Sequence, residues 1–353
     1  MSEVFEEKYF AAANSRGGFV NFFPRCFGED RGVSRLYVIK GGSGTGKSYF
    51  MRHAAKCAEK SGGRVEYYYC SSDPASLDGV RITLSDGRRM GILDGTPPHP
   101  WEPRTPGVTE EIINLGEFWN SDVLMANGDK IRALQEKKAA AYRRGYSYLA
   151  AAGQMSDVIF GLVDGFVSRA KMRVSAQRTV RGIPAGDGDV EIALISSIGG
   201  KGEVRFDTFE KISDQVYTVE ELYGVGNLML EELFVAAISR GCDVRVSYDP
   251  VCPDKINGLY CPAVKTAFVL GKAESGGHSL GVRRFTDGER MREVRATLRR
   301  AVGLRASLTE GAIESFAGAS MAHFDIEKIY SSAMDFEAKG RFESDFCKRH
   351  FGI

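Results

Sequence analysis

The chain has 353 residues, too many for one ordinary core, so two domains are expected. Apolar content of 43% and charged content of 26% are those of a soluble globular protein, and a net charge of +1 excludes a general pull toward nucleic acid or an anionic membrane. Seven cysteines, an odd number with no CxxC pair, point to free thiols in a reducing cytoplasm.

The N-terminus, MSEVFEEKYF, is acidic and lacks an apolar core segment, so no secretory signal is expected. Leu36 to Ile39 is a continuous apolar run, as in a strand buried on both faces of a parallel sheet. GGSGTGKS follows at 41–48 and satisfies GxxxxGK[ST] through Gly41, Gly46, Lys47 and Ser48. In such a loop successive backbone N–H groups turn inward, and a Cβ would keep the backbone from a phosphate. The nucleotide contacts expected are Gly41, Gly42, Ser43, Gly44, Thr45, Gly46, Lys47, Ser48 and Tyr49. Lys47 would reach the β- and γ-phosphates and the Ser48 hydroxyl would ligate Mg²⁺. A helix should follow: Phe50, Met51, Ala54, Ala55 and Ala58 recur at helical spacing, and Gly62-Gly63 supply a stop. Val65, Tyr67 and Tyr69 then alternate as a strand.

The loop after that strand holds Asp73, near the γ-phosphate if the two strands are neighbours; its rival role is an ordinary Ser-Asp-Pro turn. Met90 to Asp94 reads as a strand ending on an acid, and Asp94 would hold Mg²⁺ directly or through water. No second acid follows, since Gly95 and Thr96 come next, which resembles kinase- or GTPase-like P-loop proteins more than RecA-like ATPases. Residues 95–107 contain five prolines and read as a stiff loop, with His99, Trp101 and Arg104 as structural groups or a lid. Val108 to Trp119 is expected to form a short helix and turn, with Glu110 and Glu111 solvated in its first turn. Helical segments should fill about 121–181 and 287–350. The apolar stretch Val158 to Val167 is broken by Gly161, Asp164 and Gly165 and is too short for a bilayer.

The chain repeats itself. Setting Leu36-Tyr37 on Val216-Tyr217 places Gly44 on Gly224 and Gly46 on Gly226; after one gap, Gly62, Val65 and Tyr69 fall on Gly241, Val244 and Tyr248. In the second unit Lys47 becomes Asn227, Ser48 becomes Leu228, Gly41 becomes Glu221 and Asp94 becomes Leu270. Phosphate cation, magnesium hydroxyl and magnesium carboxylate are lost together. The second half is therefore expected to be structural, regulatory or partner-binding, or to supply a group to the first site. The Arg283 to Arg305 stretch is one source of such a group, against the plainer reading of a solvated helix face. Cys242, Cys252, Cys261 and His278 lack zinc-ribbon spacing, and His53 reads as a surface residue. Lys137-Lys138 and Arg143-Arg144, with Tyr142, Tyr146 and Tyr148 nearby, are too few for a nucleic-acid surface.

KGGSGTGKS, CSSDPASLDGV, ILDGTPPH, PGVTEEIINLGEFW and the stretch Glu327 to Phe336 resemble an uncharacterised family of bacterial tandem P-loop ATP-binding proteins. The resemblance implies ATP as ligand over GTP and names no pathway. Some members of that family carry a second intact P-loop, from which Asn227 and Leu228 depart.

The expected architecture is α/β: a P-loop NTPase fold with a three-layer parallel sheet, duplicated in tandem, each half bearing a helical segment. The domains would be 1–181, with the intact loop, and 182–353, degenerate. The expected function is Mg-ATP hydrolysis at one site, with Lys47, Asp94 and Asp73 as catalytic candidates and Ser48 and Asp94 as metal ligands. A kinase acting on a small-molecule or nucleotide acceptor is the first alternative. The second is a nucleotide-gated protein that captures a protein partner with little turnover.

Overall fold

The computed structural model describes residues 5–271 and 278–353; the first four residues of the acidic N-terminus lie outside the described residues. In the first half, β1 (Glu7–Phe10) precedes a hairpin of β2 (Ala12–Ser15) and β3 (Gly18–Asn21), then α1 (Phe23–Phe27). β4 (Val33–Lys40) leads through the glycine loop to α2 (Lys47–Lys60). β5 (Arg64–Tyr69), β6 (Leu77–Thr83), β7 (Arg89–Asp94) and β8 (Glu110–Asn114) follow, then α3 (Ser121–Ala126), α4 (Gly128–Gly161) and α5 (Arg169–Thr179). The second half repeats this order. It runs β9 (Val190–Ile192), β10 (Ser196–Gly199), β11 (Gly202–Arg205), α6 (Thr208–Lys211), β12 (Gln215–Glu220) and α7 (Val225–Ile238). Then come β13 (Val244–Tyr248), β14 (Ile256–Cys261), β15 (Thr266–Gly271), β16 (His278–Leu280), α8 (Gly288–Glu293), α9 (Arg295–Ser332) and α10 (Phe336–Phe351).

Each half builds a six-stranded sheet, in the orders β1-β5-β6-β7-β4-β8 and β9-β13-β14-β15-β12-β16. Replacing each strand of the first by its counterpart gives the second, and the strand directions agree as well. The sheets are mixed, which corrects the parallel expectation. β6 lies antiparallel between β5 and β7, as β14 does between β13 and β15. The cause is connection length. β5, β6 and β7 are joined by short turns, which return the chain antiparallel, whereas a parallel neighbour needs a crossover of a dozen residues or more.

Alternation along β4 serves two cores. Tyr37 and Ile39 join Phe50, Met51 and Ala54 of α2, while Leu36 and Val38 join Phe27 and the second sheet's Tyr260, Ala267 and Val269. The long helices α2 and α7 therefore pack on the other faces, and the two sheets face each other across a core that also takes in the short helices α1 and α6, in place of one sheet with helices on both faces. Charges bridge the sheets as well. Arg245 donates to Glu66 at 3.0 Å and to Glu191 at 2.7 Å, and Arg81 donates to Glu66 at 2.5 Å and also to Glu191.

The helical segments cross between halves. α4 and α9 pack along their length, and the pairs Lys138–His323, Gly145–Phe316 and Tyr148–Gly311 show that they run antiparallel. α10 covers α2, with Phe346 centred 5.1 Å from Phe50, whereas α5 packs on α7, where Arg173 pairs with Glu232 at 3.3 Å. Each half thus lends its last helix to the other. No described helix is long and apolar enough to cross a membrane.

Candidate functional site

The site begins where β4 ends. Its partners β7 and β8 bring Asp94 opposite Ile39 and Asn114 opposite Lys40. Residues 41–46 then turn the chain into α2. Gly44 and Gly46 take φ of 74° and 82°, values that L side chains rarely adopt. Thr45 is buried, and its hydroxyl donates to the Gly42 carbonyl at 2.9 Å, tying the loop across. Among the described residues, the backbone N–H groups of Ser43, Gly44 and Gly46 donate to no backbone acceptor. They sit at the start of a fourteen-residue helix, whose dipole adds positive potential there.

Lys47 folds back over the loop. Its ammonium donates to the carbonyls of Gly42 at 2.8 Å and Gly41 at 3.3 Å, and lies 3.5 Å from Asp94 Oδ2. The Asp94 carboxylate is fixed from its other oxygen: Oδ1 accepts from the Thr96 N–H at 2.9 Å and hydroxyl at 2.6 Å. The Ser48 hydroxyl accepts from the Leu77 N–H at 2.8 Å, which leaves one lone pair for another contact. Tyr49 is 65% exposed beside His53, so of the expected contacts it is the one turned outward.

Asp73 is placed differently from the expectation. That reading required β4 and β5 to be neighbours, and β6 and β7 lie between them. Asp73 instead pairs with Lys201 of the second half at 2.7 Å. The segment expected as a helix from Val108 is also corrected, since Glu110–Asn114 is strand β8 paired with β4. Its Ile112-Ile113 pair suits an extended edge strand. Glu110 is buried rather than solvated: it accepts from Trp101 Nε1 at 2.7 Å and from the Thr105 N–H at 2.9 Å. Burial opposes its ionisation, and these donors outweigh burial, lowering its pKa. The proline-rich loop is thus pinned to the sheet edge. His99 within it is buried, stacked on Phe23 at 4.5 Å, and contacts the Asp94 carbonyl at 2.8 Å.

The glycine loop has a roof that sequence reasoning missed. Tyr330 of α9 lies so close to Gly42 that a Cβ there would overlap its ring. A Cβ on Gly44 would lie 2.5 Å from the Glu327 carbonyl, and Ser331 donates to the Gly44 carbonyl at 2.9 Å. Lys339 of α10 sits against Gly46 and is paired with Glu343. Ser43 Oγ is 3.4 Å from His323 Nδ1, which receives Lys138 Nζ at 2.9 Å. The stretch Glu327 to Phe336 carries part of the resemblance but nothing in it points to the loop, and of the Lys137-Lys138 basic pair only Lys138 faces inward.

The equivalent place in the second half is filled from within. Gly224 keeps a φ of 91°, but α7 starts at the next residue, whereas α2 starts three residues after Gly44. The Glu221 carboxylate accepts from the Gly224 N–H at 2.6 Å and so occupies the position of an anion. Burial raises its pKa against that hydrogen bond. Asn227, in the place of Lys47, is buried and donates to the Ile256 carbonyl at 2.9 Å. In the arginine stretch, Arg283 pairs with Glu220 at 2.7 Å, while Arg284 donates to Ser175 at 3.0 Å and Arg290 to the Gly165 carbonyl at 3.1 Å.

His53, Cys57 and Cys347 have donor atoms within 4.8 Å of one another between α2 and α10. Both cysteines are buried, and burial pushes the Cys347 thiol far up. Tyr142 and Tyr146 are packed around Phe316.

No protein-family model matches the chain, and neither does any curated protein or solved structure.

Proposed function

We propose that the chain is a P-loop NTPase that binds Mg-ATP at one site in its first half and hydrolyses it there. The observation that carries the reading is the β4–glycine loop–α2 unit, with Lys47 folded over its carbonyls and 3.5 Å from Asp94. Three N–H groups without a backbone acceptor, a helix N-terminus and an ammonium stand together at this loop, and they are the donor set a polyphosphate requires. Lys47 would exchange its loop carbonyls for phosphate oxygens. The free lone pair of Ser48 and the Asp94 carboxylate would hold Mg²⁺, which supplies charge neutralisation between the β- and γ-phosphates. Catalysis in this reading is mainly positioning and charge stabilisation. Asp73, held by Lys201, has no part in it.

The second half binds no nucleotide in this reading, because the Glu221 carboxylate already takes the Gly224 N–H that a phosphate would use. Its role is to roof the first site. The closeness of α9 to the loop also favours a nucleotide-gated switch, since a nucleotide that moves Tyr330 would move the second half with it.

Equilibrium binding of labelled Mg-ATP tests the reading. One nucleotide per chain is expected, with binding abolished in Lys47→Ala. Two nucleotides per chain, or binding unchanged in Lys47→Ala, would refute it.

A further inference from the structure

The roof brings further cations to the glycine loop: Lys339, already paired with Glu343, and Lys138. Lys138 projects from α4 and His323 from α9, and the two meet at 2.9 Å beside Ser43. An ammonium can only donate, so His323 Nδ1 is the acceptor. The other ring nitrogen, Nε2, lies 3.4 Å from Glu327 Oε1. Lys138 has no carboxylate within 4.0 Å among the described residues. It is half-buried, and burial together with the nearby charge of Lys47 depresses its pKa. Lys47 already has Asp94 at 3.5 Å, whereas Lys138 is held by an imidazole alone; a half-buried ammonium without a carboxylate partner is unfavourable until an anion reaches it.

We infer that Lys138 is a phosphate-binding residue for the terminal phosphate of a nucleoside triphosphate, with His323 as the positioning residue that aims it from the second half. This rests on the phosphate-cradle reading of the glycine loop. Lys47 and the loop amides would hold the phosphates common to ATP and ADP. Lys138 stands across the loop, on the side of Ser43, and would meet only the group that ADP lacks. Because His323 belongs to α9, the second half would position the group that holds the terminal phosphate.

The test compares affinity for Mg-ATP and Mg-ADP in the full chain. A charge-assisted hydrogen bond implies that Lys138→Met weakens ATP by roughly 10- to 100-fold and leaves ADP within about twofold. Lys138→Arg should restore part of the ATP affinity, and His323→Ala should reduce the ATP preference by a smaller factor. Equal weakening of both nucleotides by Lys138→Met would assign Lys138 a structural role and overturn the inference, as would no change in either. If the unsubstituted chain binds neither nucleotide, or Lys47→Ala changes neither affinity, the cradle reading itself falls and this inference with it. If Lys47→Ala abolishes both affinities while Lys138→Met leaves the ATP preference intact, only this inference falls.

Discussion

At the scale of single residues, the glycine loop is constrained from two sides. Gly44 and Gly46 are required by their backbone angles, whereas Gly42 is required by its neighbour. The Tyr330 ring occupies the space a Cβ would need, so Gly42→Ala should destabilise the chain by about 1–3 kcal/mol, a typical cost of overpacking. The double variant Gly42→Ala/Tyr330→Ala should recover part of that loss, and a non-additive thermal-melt cycle would show the coupling. Fully additive effects would mean that α9 does not rest on the loop. The sequence pattern shows these glycines as a group; it cannot separate the one demanded by φ from the one demanded by a side chain about 290 residues away.

Among elements, strand β4, helix α2, and strands β5 and β7 were legible because each carries a full local signal: an apolar run, a helical period or an alternation. β6 went unread, and with it the mixed character of the sheet and the separation of β4 from β5 that displaces Asp73. Its sequence, LDGVRIT, buries Asp78 and Arg81 as well as apolar groups, so its periodicity is weak. β8 was misread because Glu110 and Glu111 look like a first helical turn, while Glu110 in fact anchors the proline-rich loop. The duplication was legible down to the loss of Lys47 and Ser48, but the filling of the second loop by Glu221 was not. That filling makes a prediction at this scale. Restoring the two missing residues through Asn227→Lys/Leu228→Ser should not add a second ATP per chain, since α7 still starts directly after Gly224. A stoichiometry of two in that variant would show that side chains alone silence the second site.

Across the whole molecule, the two halves are joined by facing sheets, by exchanged helices and by a buried ion network of Glu7, Glu66, Arg81, Glu191 and Arg245. Burial disfavours the charged form of Glu66, but Arg81 and Arg245 overcome it and hold the carboxyl well below its ordinary value of 4.5. A depressed carboxylate contributes its full stability above that ordinary value and loses it as pH falls through the range below. Stability should therefore drop steeply on acidification past pH 4.5, and the halves should separate together rather than in turn. Glu66→Gln should cost about 3–5 kcal/mol at neutral pH, because it leaves buried guanidinium charge uncompensated, and should flatten the acid limb of the profile. Thermal melts from neutral to acid pH check this; an unchanged acid limb in the variant would remove Glu66 from the account.

The central claim, that the first half hydrolyses Mg-ATP at one site, is tested most directly by the time course of free phosphate from γ-labelled ATP. The unsubstituted chain is compared with Lys47→Ala, with Mg²⁺ present and no acceptor added. The account predicts steady release that vanishes in Lys47→Ala. Bound ATP without release, or equal release from both chains, would contradict it.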